Sequence, residues 1–175
     1  FRYVATVGFQ LPTADLFSIV CERLSDDPSW DHNDMGWNVV PDGLREMLLW
    51  IRDRYKDPLI FITENGSAVD EPDDASALRD SKRQSFVEKH LQASNEAINA
   101  GVRLSGDFAW SLMDNFEWQF GYQRRFGITR VDFDTLERIP KGSAILYRDI
   151  IQYNREGRTR SLKIDSRPVH RNLLG

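Results

Sequence analysis

The sequence has almost no cysteine. Its single cysteine, Cys21, has no second thiol to pair with, so an internal disulfide is excluded. Long hydrophobic runs are missing as well, because no stretch approaches the roughly 18 apolar residues that a membrane-spanning helix needs. We therefore expect no membrane partner. Neither absence distinguishes a cytoplasmic protein from a secreted one, so the compartment stays open.

Positive charge is not in excess either. The chain has 23 Lys and Arg residues against 27 Asp and Glu residues, which gives a formal net charge of -4. A nucleic-acid-binding domain usually carries a basic stripe, so this balance argues against a nucleic-acid partner. Basic residues do cluster at 124–125 and within 155–160, and we interpret both clusters as solvated surface.

Histidine and the common cofactor motifs are also scarce. The three histidines, His32, His90 and His170, lie far apart and lack the spacing of a metal site. The sequence contains no phosphate-binding loop and no Gly-x-Ser-x-Gly motif. We therefore expect neither a cofactor nor a metal.

The apolar pattern of the 175 residues predicts an α/β fold. Spacings of three and four residues indicate helices over about 43–55, 81–100 and 143–153, and apolar runs indicate strands over 59–63 and 102–110. This alternation is typical of a parallel sheet with crossover helices. In the second helix, one buried face is predicted to hold Val87, Leu91, Ser94 and Ile98, flanked by Phe86, His90 and Ala97.

Three further segments complete the predicted organisation. The acidic stretch 70–80 is predicted to be a surface loop, and 155–175 a polar tail. The segment 126–133 is predicted to be a strand that turns back as a hairpin at 134–135. With only two central strands, the sheet lacks neighbours on both sides. We therefore expect residues 1–154 to be the C-terminal segment of a larger domain whose N-terminal part precedes Phe1.

One carboxylate, Glu64, follows directly after the strand at 59–63. The run Leu-Ile-Phe-Ile-Thr leads into it, and Asn65-Gly66 is expected to break the strand. A carboxylate at the C-terminal end of a barrel strand lies where active sites form, and it is costly unless it is used or paired. Glu64 could act as a nucleophile toward a sugar carbon, or it could be a surface residue that opens a turn.

A second acidic segment follows the strand at 102–110. There, Glu117 is adjacent to Trp118, and Trp110 stands seven residues earlier. A carboxylate accepts hydrogen bonds from neighbouring sugar hydroxyls, and an indole face packs against a pyranose ring. The pattern indicates a sugar site. An acidic residue that caps a helix beside a core tryptophan would give the same sequence pattern.

These motifs together resemble glycoside hydrolase family 1, the β-glucosidase/β-galactosidase family. The resemblance rests on Ile-Thr-Glu-Asn-Gly at 62–66 and Trp-Ser-Leu-Met-Asp-Asn-Phe-Glu-Trp at 110–118. It extends over about 33–154, through shorter matches at 34–37, 41–44, 121–122, 125–127, 131–135, 137–138 and 140–141. Several motifs in the same order make the resemblance specific.

The resemblance implies a (β/α)8 barrel in which 59–63 and 102–110 are about the seventh and eighth strands. It implies that Glu64 is the nucleophile of a retaining enzyme. The resemblance also implies a set of substrate-binding residues: Trp110, Glu117, Trp118 and Phe126. By the same resemblance, Asn65 and Asp114 hold turns and are not catalytic. A carboxylate at position 117 would repel a 6-phosphate, so unphosphorylated β-glucosides or β-galactosides are the expected substrates.

Several N-terminal parts of the family pattern are absent, among them the acid/base motif. The acid/base glutamate of the family lies in an Asn-Glu-Pro motif, but here Asn95-Glu96 is followed by Ala97 within a predicted helix. We expect the N-terminal part of the same barrel to supply that glutamate, and the segment alone to be inactive. Two alternatives stay open: a non-catalytic relative that binds a sugar or a protein, and a half-barrel that dimerises.

Overall fold

Helices and strands alternate along residues 27–155, the part of the chain that this computed structural model describes. The helices are α1 (Pro41–Arg54), α2 (Asp74–Arg79), α3 (Ser81–Asn99) and α4 (Gly142–Arg155), with a 3-10 helix at Trp118–Phe120. The strands are β1 (Asp31–His32), β2 (Asn38–Val39), β3 (Ile60–Asn65), β4 (Leu104–Ala109), β5 (Thr129–Val131) and β6 (Arg138–Pro140). The predicted succession of helix, strand, helix, strand, helix is confirmed by α1, β3, α3, β4 and α4.

The centre of the structure is the parallel pair β3–β4, covered on one face by α1 and α3. Ile60 pairs with Leu104 and Ile62 with Asp107 in the parallel register. The buried cluster beneath the pair consists of Leu48, Ala97 and Val102, against which Ile60, Ile62 and Leu104 pack. Apolar side chains of two helices and two strands therefore meet in one core, which fixes where both strands end.

The ends of the two long helices follow from local residue chemistry. Pro41 occupies the first turn of α1, where its missing N–H costs no hydrogen bond. Gly101 follows α3 with φ +98°, a conformation that residues with a Cβ rarely adopt. The helix predicted over 81–100 is therefore confirmed, and β4 starts three residues after Gly101.

The predicted hairpin forms, but its first strand is shorter than 126–133. β5 pairs with β6 antiparallel, from Thr129 opposite Pro140 to Val131 opposite Arg138. The residues before β5 bond elsewhere: Ser111 N donates to Phe126 O at 3.2 Å, and Ile128 N donates to Ser111 O at 2.8 Å. The segment before β5 thus pairs with the loop after β4 instead of with β6.

The prediction that 70–80 is a surface loop was wrong over 74–79, which form α2, and at Asp80, which is buried. Asp73 begins a capping box, in which its side chain accepts from Ser76 N at 2.6 Å, and α2 follows. Asp80 is buried, and its carboxylate accepts from the buried Arg83. The acidic residues were interpreted as surface residues, whereas two of them, Glu71 and Asp80, are partners of buried cations.

The buried face of α3 is also rotated from the predicted one. Ile98, which was assigned to the buried face, is 44% exposed, whereas the flanking residues His90 and Ala97 are buried. Val87 and Ser94 are buried as predicted. The difference arises because α3 packs against both α1 and α4, so the covered stripe turns toward the side of the helix between them.

The other face of the β3–β4 pair is open within residues 27–155. Phe61 and Phe108 share this face, since both rings lie against the position where a Cβ on Gly106 would stand, and both are about half exposed. Arg155, assigned to the polar tail, is the last residue of α4, and the rest of the tail at 156–175 lies outside the described residues, as does Cys21. No helix among the described residues is long and apolar enough to cross a membrane.

Candidate active site

Glu64 is the penultimate residue of β3, on the exposed side of the strand. Ile62 packs into the core, and the register with β4 shifts between Ile62 and Asn65. Because of that shift, Thr63 and Glu64 are both exposed, although they are consecutive. The Glu64 side chain has no hydrogen-bond or ion-pair partner among residues 27–155. The strand-end position predicted for this carboxylate is confirmed.

Asn65 and Gly66 join the end of β3 to the end of β4. Asn65 O accepts from Trp110 N at 2.9 Å, so the two strands end side by side. A Cβ on Gly66 would stand 1.7 Å from Trp110 O, which makes glycine necessary for this close approach. The strand ends two residues later than predicted, and the break falls at Gly66.

The Asn65 side chain points to the helix side and holds the half-buried carboxylate of Asp107. Its Nδ2 donates to Oδ1 and Oδ2 of Asp107 at 3.2 and 3.0 Å. Burial raises the pKa of Asp107, and the hydrogen bonds from Asn65 and Ser94 oppose that shift. Asn65 therefore acts as a structural bridge between β3 and β4, in agreement with its predicted turn-holding role.

Glu117 lies at the same sheet edge, in contact with Trp110. The indole Nε1 of Trp110 donates to Glu117 Oε1 at 3.3 Å, and Asn115 Nδ2 donates to the same oxygen at 2.9 Å. Glu117 N donates to Gly121 O at 2.7 Å, which closes the loop around the 3-10 turn. One residue, Trp110, thus bonds both to the end of β3 and to Glu117. Trp110 therefore links Glu117 to Asn65, the residue that follows Glu64.

Trp118 and Phe126 have opposite environments. Trp118 is 82% exposed and its backbone has φ +45°, so the turn presents the indole to solvent. Phe126 is only 3% exposed, and its ring centroid lies 6.1 Å from that of Trp37. Among the predicted site residues, the structure therefore brings Trp110 into contact with Glu117, leaves Trp118 open to a ligand, and buries Phe126 beside Trp37.

A buried ionic cluster lies under the loop that follows β4. The sequence analysis did not predict most of its residues. We define the ionic cluster by its side chains with 1% exposure or less: Glu71, Asp80, Arg83, Asp114 and Lys141. Arg83 Nη2 donates to Glu71 at 3.0 Å, and Lys141 Nζ contacts both Glu71 and Asp114. Only Asp114 had been assigned a structural role. For Lys141, the only indication in the sequence was the family match at Pro140-Lys141.

Asp114 connects the ionic cluster to the loop that carries Glu117. Its carboxylate accepts from Lys141 Nζ at 3.0 Å and from Arg125 Nη1 at 2.6 Å. It also accepts from the backbone N–H groups of Gly127 at 3.0 Å and Val131 at 3.3 Å. Four donors from three segments converge on one side chain, so Asp114 anchors both ends of the loop between β4 and β5.

Burial also affects the lysine of the ionic cluster. It lowers the pKa of Lys141, with help from the neighbouring Arg83 guanidinium. The carboxylates of Asp114 and Glu71 act in the opposite direction. The ionic cluster has no exposed face, so its chemistry supports the loop and not a ligand. The described residues contain no group of three His, Cys, Asp or Glu side chains that could hold a metal ion.

Comparison with known proteins decides the family. The sequence profile of glycosyl hydrolase family 1 matches residues 10–156. This chain belongs to glycosyl hydrolase family 1. Among its curated family 1 relatives is a bifunctional β-D-glucosidase/β-D-fucosidase of Bifidobacterium breve, 43% identical over 69% of this chain and 27% of the relative. Another is β-glucosidase A of Acetivibrio thermocellus, 42% identical over 71% of this chain and 28% of the relative.

Solved family 1 structures match the fold as well. The β-glucosidase of Thermotoga maritima superposes with a TM-score of 0.69 and 38% identity over 74% of this chain and 29% of that chain. The same enzyme in complex with deoxynojirimycin gives a TM-score of 0.70, with 30% of that chain covered. These neighbours are (β/α)8 barrels, so the chain corresponds to a part of such a barrel. It spans less than a third of the length of the relatives that it matches.

Proposed function

We propose that the protein containing this chain is a retaining β-glycosidase for unphosphorylated β-D-glucosides or β-D-galactosides. The observation that carries the proposal is the shared position of Glu64 and Glu117 at the C-terminal edge of the β3–β4 pair. In a barrel, the active site lies at this edge of the strands. Membership of family 1 supports the same reaction class, because the curated relatives cited above are β-glucosidases.

In the proposed mechanism, Glu64 is the nucleophile. Its carboxylate attacks the anomeric carbon and forms a glycosyl ester, while a second carboxyl protonates the departing oxygen. The second carboxyl then removes a proton from water, which attacks the ester and releases the sugar. The exposure of Glu64 and its lack of a partner within residues 27–155 leave its oxygens available for this attack. In retaining enzymes the two carboxyl groups lie about 5–5.5 Å apart.

The sugar would be bound by the loop that follows β4. Glu117 offers carboxylate oxygens to vicinal hydroxyls, and the exposed indole of Trp118 offers an apolar face for the ring. Trp110 would form the platform at the end of β4. Phe126 would shape the pocket from beneath, because it is buried against Trp37 and does not present its ring to solvent.

The N-terminal part of the same barrel is the proposed partner of this segment. Within residues 27–155, β3 and β4 pair only with each other, and Phe61 and Phe108 are about half exposed on their open face. Unpaired edges and exposed aromatic side chains favour association with further strands. We propose that these strands complete the sheet on both sides, with β3 and β4 as the seventh and eighth strands, and supply the acid/base glutamate.

Covalent labelling of the full-length protein tests this function. A 2-deoxy-2-fluoro-β-glucoside traps the glycosyl ester, and peptide mass spectrometry should find the adduct on Glu64. Glu64→Gln should abolish the adduct, while the control Glu137→Gln in the exposed turn between β5 and β6 should retain it. An active protein that carries the adduct on another residue would exclude the nucleophile role. A protein with neither adduct nor turnover would instead favour a non-catalytic relative.

A further inference from the structure

The two oxygens of Glu117 are in different environments. Oε1 accepts two hydrogen bonds, from Trp110 Nε1 at 3.3 Å and from Asn115 Nδ2 at 2.9 Å. Within residues 27–155, Oε2 has no hydrogen-bond partner. A carboxylate held through one oxygen cannot rotate freely, so its second oxygen keeps a defined direction.

The Asn115 amide lies between Ser111 and Glu117. Ser111 Oγ lies 3.1 Å from Asn115 Oδ1 and 2.7 Å from Met113 O. The single hydroxyl proton of Ser111 serves only one of these two acceptors, and Met113 O is the nearer, so it is the Glu117 carboxylate, an acceptor, that requires the NH2 group of Asn115 to face it. The opposite orientation would place the amide oxygen against a carboxylate, which would set two acceptors against each other. The hydrogen bond from Asn115 to Glu117 therefore has a defined direction.

The backbone around Asn115 is held at both ends. On one side, Asp114 is anchored by Lys141 and by two backbone N–H groups. On the other side, Glu117 N and O bond within the turn that ends at Gly121. The position of Asn115 is thus determined by the fold and does not depend on a bound ligand.

We propose that Asn115 is a positioning residue that fixes Glu117 through Oε1 and directs Oε2 toward the sugar. This inference rests on the proposed function, in which Glu117 binds the sugar. Trp110 supplies the second donor but also forms the sugar platform, so Asn115 is the residue whose contribution to Glu117 can be isolated. Its role is to orient another side chain, and it has no predicted contact with substrate.

Two substitutions at Asn115 separate positioning from loop support. Asn115→Ala removes the donor to Glu117 and the acceptor for Ser111. Asn115→Asp keeps the acceptor for Ser111 but sets a second carboxylate against Glu117. If Asn115 positions Glu117, the Asn115→Asp variant should have a lower kcat/KM on an aryl β-D-glucoside than the Asn115→Ala variant. The expected loss in Asn115→Asp relative to the parent is about tenfold or more, as for losing a hydrogen bond to a charged group. If Asn115 only supports the loop, the kcat/KM of Asn115→Asp should equal that of the parent. In that case Ser111→Ala should lower kcat/KM as much as Asn115→Ala does.

Repeating the Asn115→Asp substitution in a Glu117→Gln protein makes the test specific to the pair Asn115–Glu117. In a Glu117→Gln protein the carboxylate at position 117 is replaced by an amide, which can donate to the carboxylate that Asn115→Asp introduces. The Asn115→Asp substitution should therefore cost little in that background. The control Asn95→Asp, on the exposed side of α3, should leave kcat/KM unchanged. Thermal midpoints of all variants are measured in the full-length protein, so that a misfolded variant is recognised.

The outcomes distinguish this inference from the proposed function. An active parent whose Asn115→Asp variant keeps full kcat/KM, or loses the same factor in both backgrounds, would overturn the positioning role alone. A folded parent without activity on any β-glycoside would overturn both. A loss that is large beside the native Glu117 and small in the Glu117→Gln background would support the inference.

Discussion

Lys141 Nζ lies 3.0 Å from Asp114 Oδ1, and both side chains are almost completely removed from solvent. Twenty-seven positions separate the two residues in the sequence. The pair joins the start of α4 to the loop that carries Glu117. A buried pair of this kind adds little over an apolar replacement of both partners, but removal of one partner leaves a buried charge uncompensated.

Lys141→Met should therefore destabilise the protein strongly. It removes the cation that Asp114 and Glu71 share. Arg125 still faces Asp114 and Arg83 still faces Glu71, so the expected loss is about 3 kcal/mol in the free energy of unfolding, the lower end for a broken buried pair. Denaturant unfolding of the full-length protein measures it. The control is Arg148→Met, which removes one partner of the exposed pair Arg148–Asp149 and should change stability little. A loss of similar size in both variants would contradict the special cost of the buried pair.

The central strands and helices of the fold could be predicted from the sequence because their signals are local. The apolar run before Glu64 gave the strand, and the three- and four-residue spacings gave the long helices. The ionic cluster could not be found in this way, since Glu71 meets Lys141 across 70 positions. Acidic composition over 70–80 indicated solvent exposure, and only tertiary contacts show that Glu71 and Asp80 face buried cations.

Part of the site was predictable for the same reason. Glu64 and Trp110 stand at the ends of β3 and β4, which the parallel pairing brings together, and Glu117 follows Trp110 in the next loop. The environment of Phe126 did not follow, because its burial depends on Trp37, far away in the sequence. The rotation of α3 likewise depends on α4, whose packing a single helix pattern does not encode.

Gly66→Ala should disrupt the junction between β3 and β4. The added Cβ would stand 1.7 Å from Trp110 O, and backbone atoms on both sides prevent easy relief. We expect a loss of about 3 kcal/mol or more, at or above the upper end of overpacking costs, together with loss of glycosidase activity.

Gly121→Ala provides the contrast for that experiment. Gly121 lies in the glycine-favouring region, at φ +55°, but a Cβ there would meet nothing within 4 Å. The substitution should cost about 1–3 kcal/mol of backbone strain, with no steric clash added to it. Thermal unfolding of both variants ranks the two effects. The crowding argument fails if Gly66→Ala is as stable as Gly121→Ala.

His90 should make stability depend on pH below neutrality. Burial lowers the pKa of His90 from its ordinary value of 6.5, and the hydrogen bond to Phe86 O at 2.9 Å opposes that shift. The unfolded chain therefore takes up the proton first as pH falls. The stability that neutral His90 contributes is present above about pH 6.5 and is lost as pH falls through the folded pKa.

Replacement of His90 by Gln should reduce this pH dependence. The parent should lose stability below about pH 6.5 with a slope of up to about 1.4 kcal/mol per pH unit from this group, and His90→Gln should lack that part of the slope. Urea unfolding between about pH 7.5 and pH 5 measures both. The control His32→Gln, on the exposed strand β1, should follow the parent. An unchanged slope in His90→Gln would show that burial of this ring is not linked to protonation.

Glu117→Ser should change both rate and substrate preference if Glu117 binds the sugar hydroxyls. Serine cannot provide the charged acceptor, and each hydrogen bond to a charged group contributes about 1.5–3 kcal/mol. The transition state should lose that much stabilisation, and kcat/KM on a β-D-glucoside should fall accordingly. The relative rate on the 6-phosphorylated glucoside should rise, because the repulsion between Glu117 and the phosphate is gone.

Glu137→Ser, in the exposed turn between β5 and β6, is the matched control and should change neither quantity. Equal turnover of plain and phosphorylated glucosides by the parent protein would contradict the role assigned to Glu117, since a carboxylate in contact with the sugar must discriminate against a dianion.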